Sequence, residues 1–382
     1  MPKKKILLVA DTFYPKVDGI LKFMEEFSRR SKDLFDIRYL VPFFGQEDPS
    51  ATFVAPSRWI SLSGYQNMKL SLKNLSTIKL AIRNSDIIFV QGPALLSFLG
   101  IYYGRKFQKT TIIYHHIYPW ELFAKFVSPP WNKILTVIVK KMWIHLYNRC
   151  NHILVPYHGL VKELQRENVQ APITIARLGV DIQGFHPTED KAASKRKVGL
   201  EPHPFVIGYV GRISKEKNID VLVRAFKKMG TNRPRQLLLV GDGSEELKEK
   251  IMAEVPNCII TGFVNNVQDY LQVMDVFVMP SLTETTSLAT LEAMSTGLPV
   301  ICSKVGFMES YIIKNYNGLF FPKTNPSLLA IKLEKLLGNP DMRQKLGANA
   351  RKTIAYSFSW ERSINKIKRV IAQTAETYKE TF

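Results

Sequence analysis

Short apolar runs alternate along this chain with stretches in which apolar residues recur three and four positions apart. Residues 6–10 form the first run. Ile20, Phe23, Met24 and Phe27 then follow at helical spacing. Further runs lie at 37–41, 87–90, 111–114 and 153–155. Uninterrupted short runs separated by amphipathic helices predict a parallel sheet covered by helices on both faces. The pattern restarts at 206–210, just before Gly211, with Ile219, Leu222, Val223 and Phe226 as the next helix face. Runs at 237–240, 259–260, 276–279 and 300–302 complete it. Between the two halves, residues 184–204 are polar and carry Pro187, Lys191, Lys195, Arg196, Lys197, Pro202 and Pro204, which reads as a linker. The expectation is an α/β chain of two doubly wound parallel-sheet domains, 1–183 and 184–357. They would face each other across a cleft at the carboxyl ends of the strands, where such sheets bind ligands.

Composition agrees with two globular domains: 382 residues, 46% hydrophobic and 23% charged. No run of 18 uncharged apolar residues exists, so no spanning helix is expected. The apolar run after Lys3, Lys4 and Lys5 is too short for a signal-peptide core, which predicts a cytoplasmic protein. Cys150, Cys258 and Cys302 are scattered and make neither a disulfide framework nor a zinc site. The net charge of +20 leans toward the first half. That excess suits a phosphate-bearing partner or anionic lipid, and equally a merely solvated surface, until a motif decides.

The segment 280–302, PSLTETTSLATLEAMSTGLPVIC, is the richest in chemistry. A strand enters it, a polar loop carries Glu284, and a helix starting near Ser287 carries Glu292 before Gly297 and Pro299 stop it. The free amides of Ser287 and Leu288 at that helix start form a ready phosphate site. A carboxylate ahead of them suits sugar hydroxyls, and one behind them suits a ribose diol. After strand 206–210, Arg212 and Lys217 place two cations beside another helix start, where they suit a diphosphate whose charge grows as a bond to it breaks. Gly241-Asp242-Gly243 is a weak dinucleotide cue, because Glu246 stands where a third glycine belongs.

These residues closely resemble the retaining GT-B glycosyltransferases of family 4. The family carries two glutamates at this spacing followed by Ala-Met-x-x-Gly-x-Pro-Val-Ile, here residues 293–301. The resemblance implies a GT-B fold of two Rossmann-like domains, with the last helix, 358–382, packing back on the first. It implies that Glu284 contacts the donor sugar and Glu292 the nucleotide ribose. Arg212 and Lys217 would grip the donor phosphates. Gly241 would line the nucleotide site, and Gly262 and Val264 would meet the base. The chain departs from the family in having Ser287 where glycine is usual, at a place where backbone approaches phosphate.

In the first half, Gly19 opens the helix at 20–30 within a stretch, DTFYPKVDGI, that resembles family members acting on lipids. Its amides would approach a phosphate. His115 ends strand 111–114 where the family places a histidine near the sugar, with His116 as its competitor. Residues 118–149 mix Trp120, Phe123, Phe126, Trp131 and Trp143 with Lys125, Lys133, Lys140 and Lys141, a composition suited to a membrane interface or to a buried helix with solvated lysines.

The resulting expectation is a retaining hexosyltransferase using a UDP- or GDP-linked sugar and a membrane lipid acceptor, peripheral on the cytoplasmic face of an anionic membrane. No cofactor or essential metal is expected, because the Asp-x-Asp clamp of other transferases is absent. Nucleic acid is not an expected partner. The alternatives are a transferase of surface-polysaccharide or lipid-linked oligosaccharide assembly, and a non-enzymatic basic protein binding nucleic acid or membrane.

Overall fold

The computed structural model describes residues 3–15, 18–62, 65–116, 120, 131–230 and 232–380. The chain divides into two compact units, 1–177 together with 361–382, and 178–360.

Unit 1 is built on a seven-stranded sheet in the order β3-β2-β1-β6-β7-β8-β9. Its strands are β1 (Lys4–Val9), β2 (Phe35–Pro42), β3 (Ala51–Val54), β6 (Ile87–Val90), β7 (Thr110–Tyr114), β8 (His152–Val155) and β9 (Ile173–Ile175), and every pairing is parallel. A separate antiparallel pair, β4 (Pro56–Leu62) and β5 (Tyr65–Met68), sits outside that sheet. The helices are α1 (Gly19–Ser31), α2 (Leu72–Arg83), α3 (Leu95–Lys106), α4 (Trp131–Tyr147) and α5 (His158–Arg166). Alternate residues feed opposite faces. Leu7, Val9, Ile88, Val90 and Ile113 join one core. Phe89 turns to the other face, where it meets the rings of Phe23 and Phe27 from α1. Both faces being covered explains why the strands read as unbroken apolar runs.

Unit 2 carries a six-stranded parallel sheet in the order β12-β11-β10-β13-β14-β15. These are β10 (Phe205–Val210), β11 (Arg235–Val240), β12 (Ile259–Ile260), β13 (Val276–Met279), β14 (Val300–Ser303) and β15 (Leu319–Phe321). Around it stand α6 (Lys191–Lys197), α7 (Ile219–Lys228), α8 (Glu245–Glu254), α9 (Val267–Val273), α10 (Leu288–Ser295), α11 (Pro326–Gly338) and α12 (Pro340–Ser357). The final helix, α13 (Trp360–Glu380), begins in unit 2 and continues in unit 1. There it buries Ile364, Ile367, Ile371 and Ala375. It is pinned by Lys368 Nζ on the Arg30 carbonyl (3.1 Å) and by Arg105 on the Tyr378 hydroxyl (3.0 Å).

The stretch 184–204 reads as a linker in sequence but is built into unit 2. Lys195 is 4% exposed and donates to the carbonyls of Pro202 (3.1 Å) and Pro204 (2.7 Å) and to Asp275 (3.3 Å). Asp275 also accepts from the Val206 amide and from Lys191, and these partners hold its carboxyl below the usual range despite burial. The unit starts at 178 because Val180 bonds to Phe358 and Trp360, with 2.7 and 3.3 Å between the bonded atoms. This clasps the two chain ends of the unit together.

Candidate active site

Three loops at the carboxyl ends of β10, β11 and β12 lie side by side in unit 2. Ile213 bridges Gly243, and Gly241 bridges Gly262. The approach is close enough that a Cβ on Gly241, whose φ is +141°, would stand 2.1 Å from the Gly211 carbonyl oxygen. Only glycine fits there.

Past Gly211 the chain runs through Arg212 into a single 3-10 turn, Lys215–Lys217, and enters α7 through Asn218 in the left-handed conformation (φ 55°). The Asn218 amide ties this turn to the Pro280 (3.1 Å) and Lys323 (2.8 Å) carbonyls, and the Leu282 amide donates to Glu216. The turn is thereby registered against the loop after β13. Its consequence is a 2.5 Å ion pair between Lys217 Nζ and Glu284 Oε1, with the glutamate side chain only 9% exposed. Ser281, fully buried, donates a second hydrogen bond to Glu284 Oε1 at 2.8 Å. Ser281 is itself fixed by Ser303, which donates to its carbonyl at 2.6 Å. Arg212 lies outside this knot, paired with Glu216 at 2.6 Å on the surface.

Three residues beyond Glu284, Ser287 is the cap of α10 and stands one residue outside it. Its backbone (φ −76°, ψ 101°) is ordinary extended geometry, so serine sits there without strain. Its hydroxyl accepts from the Thr290 amide (3.3 Å) and hydroxyl (2.9 Å). The amides of Leu288 and Ala289 are the first within the helix, and Leu288 and Glu292, four apart, share its partly exposed face. Gly262 and Val264 follow β12, with Val264 resting on the core. The structure therefore brings Lys217, Glu284, Ser287, Leu288 and Glu292 onto neighbouring segments. Ser281 and Asn218, which position them, were not singled out from sequence. Their only signal was a serine and an asparagine flanking the charged residues.

In unit 1, His115 and His116 follow β7 and are both buried. His115 Nδ1 pairs with the Tyr147 hydroxyl at 2.8 Å, while His116 Nε2 pairs with Gln91 Oε1 at 3.0 Å. Burial brings both imidazoles down to a pKa of about 3, so both are neutral. Gly19 begins α1, but the Asp18 carboxylate already accepts from the Ile20 (3.0 Å) and Leu21 (2.9 Å) amides. Two of the donors expected to face a phosphate are thus occupied. Phe123, Lys125 and Phe126 lie outside the described residues. Among the described residues, no group of three or more His, Cys, Asp or Glu could hold a metal ion.

Comparison with known proteins decides what the arrangement belongs to. Residues 17–183 match the model of glycosyltransferase family 4, and residues 190–353 match that of glycosyl transferases group 1. The chain is a glycosyltransferase, a family 4 domain followed by a group 1 domain. It is 26% identical over 386 residues to a sulfoquinovosyl transferase of Arabidopsis thaliana, covering 96% of this chain and 73% of that one. It is 24% identical to the alpha-monoglucosyldiacylglycerol synthase of Acholeplasma laidlawii, covering 91% of each. Among solved structures, Anabaena HepE in complex with UDP superposes with a TM-score of 0.79 over 97% of this chain and 100% of that one, at 15% identity. That likeness shows the fold, GT-B. Family membership sets aside the non-enzymatic reading of the basic surface.

Proposed function

We propose that this glycosyltransferase moves a hexose, with retention, from a UDP- or GDP-linked sugar to a membrane lipid, working as a peripheral protein on the cytoplasmic face. The observation that carries the donor side is the 2.5 Å contact of Lys217 with Glu284. A nucleotide sugar has its hexose and its diphosphate joined at one bond. A cation for the phosphate and a carboxylate for the sugar must therefore lie close together, and here Lys217 and Glu284 do. Lys217, Arg212 and the Leu288 amide would take the diphosphate as its charge develops. Glu284 would hold the sugar hydroxyls, and Glu292 the ribose. Gly241, Gly262 and Val264 would present backbone to the base. The departing phosphate oxygen would take the acceptor's proton in a front-face displacement.

The lipid acceptor rests on α4. Its Ile134, Val137, Ile138 and Met142 are 56, 52, 55 and 39% exposed and share a face with exposed Lys133 and Lys141. Apolar side chains flanked by lysines suit the boundary of an anionic bilayer. Among the described residues no helix is long and apolar enough to cross one. A relative whose name includes monoglucosyldiacylglycerol supports the same reading.

The test is the thermal midpoint of the protein with UDP, GDP and their sugars, with no added metal, followed by transfer to lipids in the presence of chelator. A ligand at 100 times its dissociation constant adds about 2.7 kcal/mol, an easily read shift. Stabilisation by one nucleotide and chelator-resistant transfer to lipid are expected. No shift with any nucleotide would refute the donor site, and activity lost to chelator and restored by magnesium would refute the metal-free mechanism.

A further inference from the structure

A cavity of about 190 Å³ opens in unit 2 between α7, α8 and the chain that leaves β10. It stands apart from the donor residues, since Arg212, Lys217, Glu284, Ser287, Leu288 and Glu292 do not line it. Its walls are apolar. Ile219 and Val223 on α7, and Leu247 and Ile251 on α8, are each four apart, so one face of each helix meets the space. Ile213 closes it from the side of β10 and is fixed there, its amide donating to the Asp242 carbonyl at 2.7 Å. The exposed Lys215 and Lys250 mark the open side.

The polar groups around the cavity are nearly all committed. The Asn218 side-chain amide donates to the Pro280 and Lys323 carbonyls. Asp220 pairs with Arg224 (2.5 Å) and Lys250 (3.4 Å), and Glu254 pairs with Lys227 (3.2 Å). The carboxylates are thus neutralised, and cations are in excess. Two neighbours in the chain are left over. Ser214 Oγ is buried without a hydrogen-bond partner. The Lys215 ammonium has no ion-pair partner among the described residues. A buried hydroxyl without a partner is costly, and an ammonium beside it favours an anionic oxygen over a neutral one. Volume limits the rest of the ligand. A dry apolar cavity of about 150 Å³ takes up benzene, so this one has room for a body of about six to eight non-hydrogen atoms. We propose that the cavity binds a short apolar carboxylate, with its hydrocarbon body between α7 and α8 and its carboxylate at Ser214 and Lys215. The site lies behind the turn that carries Lys217, and it rests on neither the donor nor the lipid reading.

The experiment titrates the full chain with hexanoate by saturation-transfer difference NMR. Hexanol supplies the same body without the charge, and acetate the charge without the body. Hexanoate should bind with a millimolar dissociation constant, about tenfold more tightly than either control. Val223→Phe fills the space and should abolish binding. Ser214→Ala/Lys215→Met should bring hexanoate down to the affinity of hexanol. Ser214 Oγ has no hydrogen bond to lose and Lys215 is exposed, so this double variant decides the matter even where Val223→Phe does not fold. Saturating UDP or GDP should leave hexanoate binding unchanged. Absence of binding, hexanol bound as tightly as hexanoate, an unaltered affinity in either folded variant, or displacement by a nucleotide each overturns the proposal.

Discussion

The two histidines after β7 make unit 1 acid-sensitive by a predictable amount. Both titrate at about 3 in the folded chain because burial disfavours the imidazolium, against about 6.5 when unfolded. A base whose folded pKa is depressed contributes its full stability above the unfolded value. It loses that stability as pH falls through 6.5 toward 3, because only the unfolded chain takes up the proton. At pH 5.5 the loss is about 1.4 kcal/mol per histidine relative to pH 7.5, or about 3 kcal/mol for the pair. The size is insensitive to the folded value, provided it lies well below 5.5. Urea unfolding followed by tryptophan fluorescence reports chiefly on unit 1, since Trp59, Trp120, Trp131 and Trp143 lie there and Trp360 lies in unit 2. The acid-induced drop should shrink by about half in His116→Gln and by nearly all of the 3 kcal/mol in a variant lacking both imidazoles. Imidazole proton resonances should stay fixed from pH 8 to 5, and neither residue should place an inflection near 6.5 in the activity profile. An imidazole that titrates near 6, or an undiminished drop in the variants, would refute the argument.

Glu284→Gln and Lys217→Met should each lower turnover by about 10²–10³ with circular dichroism close to wild type, because each removes a charge from the proposed donor site, and Lys217→Met should also lower the thermal midpoint because it leaves the nearly buried Glu284 carboxylate without its cation. Gly241→Ala drives a Cβ into the Gly211 carbonyl and should cost about 2–4 kcal/mol in the unfolding of unit 2, along with nucleotide-induced stabilisation. Arg351→Met strips donors from the Ile182, Phe185 and Ser295 carbonyls and should destabilise unit 2 by about 3 kcal/mol in urea titration. Ile138→Glu should weaken co-sedimentation with anionic vesicles by about tenfold without changing nucleotide stabilisation, and unchanged vesicle binding would remove α4 from the membrane reading.

What the amino-acid order determined by itself was whatever is written in local periodicity and in one unbroken motif. Strands 87–90 and 276–279 were legible to the residue, because a strand buried on both faces must be apolar at every position, and the two-residue edge strand 259–260 because both its residues are isoleucine. Glu284, Ser287, Leu288 and Glu292 were legible because a single loop and helix carry them. β3, the β4–β5 pair, β9 and β15 were not, being short or partly polar edges whose pairing comes from neighbours far along the chain. Residues 184–204 looked like a linker because prolines and lysines mark local irregularity. The partner that makes Lys195 a buried anchor, Asp275, is 80 residues away. Serine at 287 departs from the family's usual glycine; only the structure showed that its backbone dihedral is ordinary and that its hydroxyl caps the helix. Only the tertiary structure could join Lys217 to Glu284, across 67 residues, or leave Ser214 with an unpartnered hydroxyl. Ion pairs and hydrogen-bond deficits belong to atoms that meet in space, and spacing along the chain holds no record of them.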